Sequence, residues 1–146
     1  MISPDKPLLR CTCSATRMAS RAISQLFDKA LAPADLRSGQ FALLRALARL
    51  GPVGVQKLGQ ALLLDRTTVA RTLRPLEREG LVSIAIDSGD RRARLLVLTE
   101  RGRQRLVQAE PLWTVAQDRL ESAFGAEATS ALHGALAALI ALNLSA

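Results

Sequence analysis

The sequence predicts a mainly α-helical fold with one small β-hairpin. Three observations point there. Apolar residues recur at helical spacing through most of the chain. A single alternating, β-branched stretch, "LVSIAI", is followed by turn residues and a second short apolar run, "RLLVL". Gly and Pro punctuate the segments between these elements. At 146 residues the chain fits one domain, 1–146, with room for a real core.

The elements follow in order. From about Thr12 to Leu31 the residues Ala15, Met18, Ala22, Ile23, Leu26, Phe27 and Ala30 mark a long amphipathic helix that ends before Pro33. Ser38 is the expected cap of a second helix through Phe41, Leu44 and Leu47, which "LGPVG" stops. "VQKLGQALLL" supplies a short third helix with Leu58 and Leu62 on one side, and Asp65 caps a fourth. After Gly80 come the two strands around "DSGDRR". Thr99 then opens a long helix whose Pro111 should bend it, and a final helix from about Glu127 to Leu142 is apolar nearly all round.

The fourth helix, "DRTTVARTLRPLEREG", carries the chemistry. On a wheel of about 100° per residue, Val69, Leu73 and Leu76 form one apolar stripe. Thr67, Ala70, Arg71, Arg74 and Arg78 fall opposite, with Glu77 and Glu79 on the flanks. Such a face suits the major groove: Arg can bind guanine with two hydrogen bonds, and Thr can meet a phosphate or a thymine methyl. The helix start also presents free amides to a phosphate. Taken alone, the same face reads first as a solvated basic surface. Pro75 interrupts the helical ladder, so a bend is expected there, and Gly80 is the natural left-handed cap.

Context decides between the two. A short helix with a tight connection precedes this segment, and a hairpin bearing Arg91, Arg92 and Arg94 follows it. That order is the order of a winged helix-turn-helix, in which one helix enters the major groove and the wing reaches the minor groove. Charge agrees: twenty Lys plus Arg against thirteen Asp plus Glu give a net +7, and seventeen of those bases are arginine. Base composition of the genome also enriches arginine, so the count supports the reading without carrying it.

Across nearly its whole length the chain resembles the MarR family of transcriptional regulators. The likeness rests on "DLRSGQFALLRAL", on "LGQALLLDRTTVARTLRPLEREGLV" and on the wing "DSGDRRARLLVLTERG". It implies a winged helix-turn-helix lobe at about 36–100 and dimerisation helices at about 8–32 and 101–146. It places Arg66, Thr67, Thr68, Ala70, Arg71 and Arg74 on the recognition helix. Arg92 would enter the minor groove with Asp90 holding its guanidinium, beside Arg91, and Arg94 would support the wing or contact the DNA backbone.

The resemblance further implies a homodimer on a two-fold operator, most simply a repressor, with half-site centres roughly 10 bp apart or a multiple of that. The all-round apolar final helix agrees, since a partner's helices would cover it. A small aromatic or phenolic effector is implied between the dimer helices and the reading lobe, near Arg17, Phe41, Arg45 and Trp113. As an alternative, Cys11 and Cys13 at the start of the first long helix could sense oxidants, their thiols acidified by the helix end and by Arg10 and Arg17. The bland reading of both is small, partly buried interface residues. An architectural DNA binder without an effector is the remaining alternative.

No catalytic constellation, phosphate loop or metal quartet stands out, so no enzymatic activity, cofactor or metal is expected. "MISPDKPLLRC" lacks the apolar run of a secretory signal, and "ALHGALAALIALNLSA" is too short to span a bilayer. A cytoplasmic protein with reduced thiols, partnered by duplex DNA and by itself rather than by a membrane, is the expectation.

Overall fold

The computed structural model describes residues 6–142; residues 143–146 of the predicted helical region lie outside them. The helices are α1 (Lys6–Leu9), α2 (Thr12–Leu31), α3 (Ser38–Leu50), α4 (Val55–Leu62), α5 (Arg66–Arg78), α6 (Glu100–Phe124) and α7 (Ala126–Ala141). Strands β1 (Val82–Ile86) and β2 (Arg94–Leu98) form an antiparallel hairpin in which Val82 faces Leu98 and Ile86 faces Arg94. A bridge between Val53 and Leu96 ties the α3–α4 connection to β2. The observed class is thus the predicted one, mainly helical with a hairpin wing.

Each boundary has a chemical cause. α2 passes into a single 3₁₀ turn, Ala32–Ala34, and Asp35 closes it in the left-handed region (φ 52°). The cap of α3 is Arg37, one residue before the expected Ser38. Ser38 is already helical, because its N–H donates to Asp28 Oδ1 on α2 at 2.7 Å, while Arg37 N–H donates to Gln40 Oε1 at 2.9 Å. Thr99 caps α6 by accepting from Gly102 N–H at 3.0 Å.

α5 ends in a Schellman arrangement. Gly80 (φ 72°) donates its N–H to the Glu77 carbonyl, and Leu81 donates to the Leu76 carbonyl at 2.9 Å. Both leucines are fully buried, which supplies the apolar contact that usually seals this cap.

Pro75 and Pro111 lie in the interiors of long helices. α5 continues as one helix through Pro75 and α6 through Pro111, so neither proline ends its helix. Burial on both sides outweighs the lost amide bond: Leu73 and Leu76 anchor α5, while Ala109 and Ala116 anchor α6. The Glu79 N–H to Pro75 carbonyl bond at 3.0 Å resumes the ladder at once.

The core gathers Leu31, Phe41, Leu44, Leu47, Leu58, Val69, Leu76, Leu81, Leu96 and Leu106. α3 is its central rod. α5 lies on it by its apolar stripe, so the helix's polar face is turned outward. Beyond Gly125 (φ 98°), α7 departs from α6 at 106° and leaves Leu139, Ile140 and Leu142 exposed. Among the described residues no single helix is long and apolar enough to cross a membrane.

Candidate nucleic-acid interface

The two faces of α5 are as the wheel predicts. Val69, Leu73 and Leu76 are buried, whereas Thr67, Ala70, Arg71, Arg74 and Arg78 are exposed. Arg66, Thr67, Ala70, Arg71 and Arg74 line one shallow groove, which continues past Pro75 and Glu77 to Arg78. An outward cationic groove with a floor no bulkier than Ala70 can accept a base edge and its phosphate without steric conflict.

Asp65 organises the start of this face. Its Oδ1 accepts the Thr68 N–H at 2.7 Å and its Oδ2 accepts the Thr68 hydroxyl at 2.8 Å. Thr68 therefore serves the cap, while Thr67 stands free on the outer face. The Thr68 oxygen in turn lies 3.4 Å from Arg71 Nη2, so one loose hydrogen bond leans that guanidinium toward the helix start. The Thr68 amide, then the Thr68 hydroxyl, and to a lesser extent the Thr67 amide and the charge of Arg71, hold the Asp65 carboxyl below its usual range.

The wing tip is built from turn chemistry. Asp87 Oδ1 accepts Gly89 N–H, Asp90 Oδ1 accepts Arg92 N–H, both at 3.0 Å, and Ala93 N–H closes onto the Asp90 carbonyl at 2.9 Å. Asp90 thus holds the backbone of Arg92, where the resemblance implied a grip on its guanidinium. The Arg92 side chain is exposed with Arg91. Arg94 Nη1 donates to the Arg91 carbonyl at 3.1 Å, within the wing.

A cationic helix face and a cationic loop on one small lobe are the equipment of a duplex reader, and the comparisons with known proteins agree. The MarR family model matches residues 36–93, from the α3 cap through the wing tip. The M. tuberculosis transcriptional regulator MosR, solved in complex with DNA, is 31% identical; the match covers 92% of this chain and 99% of that one, with a TM-score of 0.76. The chain belongs to the MarR family of transcriptional regulators.

Other MarR-type relatives extend the comparison. The transcriptional repressor CouR has been solved bound to a 23-mer DNA duplex and, separately, bound to p-coumaroyl-CoA. In the DNA complex it is 26% identical over 96% of this chain and 99% of its own, with a TM-score of 0.84. The HTH-type regulator YybA of Bacillus subtilis is 28% identical over 87 residues, and the match spans 60% of this chain and 58% of that relative. The family is one of regulators, and the chain is a transcriptional regulator rather than an enzyme.

The other candidate residues of this MarR-family chain are placed as follows. Phe41 and Trp113 stack with centroids 6.2 Å apart, and the Arg45 guanidinium lies over both rings, 5.4 Å from Phe41 and 4.7 Å from Trp113. Glu110 stands 3.9 Å from Arg45 Nε. Three of the four expected effector residues therefore meet, between α3 and α6. Arg17, exposed on α2, makes no contact that joins it to them.

Cys11 and Cys13 are both free thiols at the head of α2, exposed in the single chain. The Cys11 thiol is held below its ordinary value chiefly by the Ser14 amide, then by the Ser14 side chain. The helix start supplies the acidification, and no arginine contributes to it.

Sequence reading missed Arg105. Its Nη1 donates to Glu79 Oε2 at 3.1 Å and to the Ala34 carbonyl at 3.4 Å. No local pattern links positions so far apart in the chain.

Proposed function

We propose that the chain is a homodimeric repressor that reads a two-fold duplex site and is released by a small aromatic effector. The observation that carries this is the exposed α5 face, Arg66, Thr67, Ala70, Arg71 and Arg74, turned outward by its buried stripe. Arg71 and Arg74 are the base readers, Thr67 and the first amides of α5 hold a phosphate, and Arg91 and Arg92 on the wing enter the adjacent minor groove. Thr68 acts through the cap. The lobe at about 36–100 binds DNA, and the helices at about 8–32 and 101–146 bind the partner subunit.

Dimerisation draws support from α7. Leu139, Ile140 and Leu142 are exposed together at the far end of α7, and Thr129 Oγ1, near its start, is buried without a hydrogen-bond partner. A second copy covering this end would bury an interface of roughly 2,000 Å² or more, as obligate dimers do. With DNA as its partner, the protein acts in the cytoplasm.

The effector reading rests on the Phe41–Trp113 stack and its Arg45 lid. An aromatic anion offers the rings a further face and Arg45 a counter-charge. CouR, with p-coumaroyl-CoA bound, is a relative that takes such a ligand. Release requires that the ligand favour the DNA-incompetent dimer, because equal affinity for both states shifts nothing. A thiol-sensing alternative is favoured by one observation, the acidified and exposed Cys11.

Selection of binding sites from randomised duplexes, with sedimentation of the complex, tests the core of the proposal. We expect one enriched sequence with two-fold symmetry, two chains per duplex, and affinity at least 10³ above scrambled DNA at the same salt. A ratio near unity would make the protein an architectural DNA binder.

A further inference from the structure

We propose that Arg105 is a positioning residue that fixes the angle at which α5 presents its arginines to DNA. This rests on the duplex-reading role of α5.

Thr99, Gly102 and Arg105 recur every three residues along one side of α6, and each engages the end of α5. The Thr99 hydroxyl donates to the Gly80 carbonyl at 2.6 Å, and its N–H donates to the Leu81 carbonyl at 3.1 Å. Gly102 lets the helix pass against the Leu81 backbone, since a Cβ there would meet Leu81 C at 3.1 Å and Leu98 Cδ1 at 2.6 Å. These two contacts grip the backbone at one place, just past the left-handed Gly80. A grip at one place is a pivot.

Beside the buried stripe of Val69, Leu73 and Leu76, Arg105 adds a polar contact that resists rotation about that pivot. Its side chain is only 14% exposed, and it bridges Glu79, the last residue of α5's cap, to the Ala34 carbonyl in the turn that closes α2. One guanidinium therefore joins α6, in the region assigned to dimerisation, and the turn that follows α2 to the end of the reading helix.

The lever is long enough to matter. Arg71 lies eight residues before Glu79, roughly 12 Å along the axis. A swing of about 10° at the pivot moves Arg71 by roughly 2 Å, well beyond the ~0.5 Å tolerance of a pre-organised contact. Selectivity for a base sequence should then depend on a residue that touches no base.

The test uses the full-length chain, the duplex selected by the wild type and a scrambled duplex, at one fixed salt. Arg105→Gln and Glu79→Gln remove charges of opposite sign. Each is expected to weaken binding to the selected duplex by about tenfold while changing scrambled binding by less than about twofold, and the double variant should lose no more than either single one. Opposite shifts, weaker for Arg105→Gln and tighter for Glu79→Gln on both duplexes alike, would mean bulk charge alone and overturn the proposal. So would losses that multiply in the double variant, or selectivity unchanged in both.

Thermal melting and sedimentation accompany each variant. Should Arg105→Gln fail to fold, Glu79→Gln, at a side chain 41% exposed, decides the matter by itself. A wild type without sequence preference removes the duplex-reading role and this inference together; a selective wild type with unaffected variants removes only the inference.

Discussion

Thr68 is bonded twice to Asp65, by its N–H at 2.7 Å and by its hydroxyl at 2.8 Å. This double bond starts the reading helix and gives it a pH signature. The folded Asp65 carboxyl sits below 3.8, its ordinary value. A depressed carboxyl contributes stability that is complete above the unfolded value and is lost as pH falls through the folded one. Thermal melts should therefore rank wild type above Asp65→Asn and Asp65→Asn above Asp65→Ala at neutral pH. The wild-type and Asn curves should converge once the pH has fallen through the depressed folded midpoint of Asp65, below 3.8. A gap between them that ignores pH would remove the carboxylate's charge from the account.

Gly102 permits the closest approach between α6 and the loop that leaves α5. The obstacle to a side chain there is mainly the Leu81 backbone, which cannot rotate away. Gly102→Ala should cost about 1–3 kcal/mol in urea unfolding, although alanine is the better helix former by about 1 kcal/mol. Unchanged or improved stability would mean that the Leu81 backbone yields to the added methyl and that the close approach does not constrain α6.

How much of this was legible follows from the range over which each cause acts. Asp65, Gly80 and Thr99 act on their own helix ends, so the sequence placed those boundaries to within a residue. The period of α5 separated its buried from its exposed face correctly because Val69, Leu73 and Leu76 meet a single core. Ser38 misled by one position, since the carboxylate that decides the α3 start, Asp28, belongs to another helix. The Arg105–Glu79 bridge, the Val53–Leu96 bridge and the Gly102 approach are tertiary, and no local pattern announces them. Phe41, Arg45 and Trp113 are legible as members of one cleft, but the seat of the Arg45 guanidinium over both rings depends on how α3 packs against α6.

The turn between α4 and α5 stores a small strain. Leu63 adopts φ 52° and is 69% exposed, so its side chain gains little from packing. A left-handed non-glycine residue costs roughly 1–2 kcal/mol, and glycine's extra freedom in the unfolded chain returns about 0.5–1 kcal/mol of that. Leu63→Gly should accordingly stabilise the protein by about 0.5–1 kcal/mol in the same unfolding assay. A loss of stability would reveal packing of Leu63 against a second subunit.

Cys11 should react as an acidified thiol. In a Cys13→Ser background, the pH profile of its alkylation should have a midpoint below 9.0, and Ser14→Ala should move that midpoint upward. If the midpoint already sits at 9.0 or above, the thiol-sensing alternative loses its physical basis. DNA affinity before and after peroxide then separates a reactive thiol from a regulatory one: a switch requires that oxidation lower the affinity of wild type but not of Cys11→Ser.

Under the proposed roles Arg71 and Arg92 should fail in different ways, because they would meet different parts of a duplex. Arg71 leans by one weak bond toward the capped start of α5, so it reaches the groove partly oriented. Arg71→Ala should cost roughly 1–3 kcal/mol on the selected duplex and relax preference at one base position in each half-site. Arg92 extends from a turn whose backbone Asp90 fixes, with its own guanidinium exposed. Arg92→Ala should weaken selected and scrambled duplexes nearly alike and lower the salt slope by about one, with dimerisation intact. Binding measured across a salt series distinguishes them. An Arg71→Ala variant that keeps full base preference and loses only salt slope would move α5 from reading bases to holding phosphates, and sequence selectivity would then have to arise from the wing or from DNA shape.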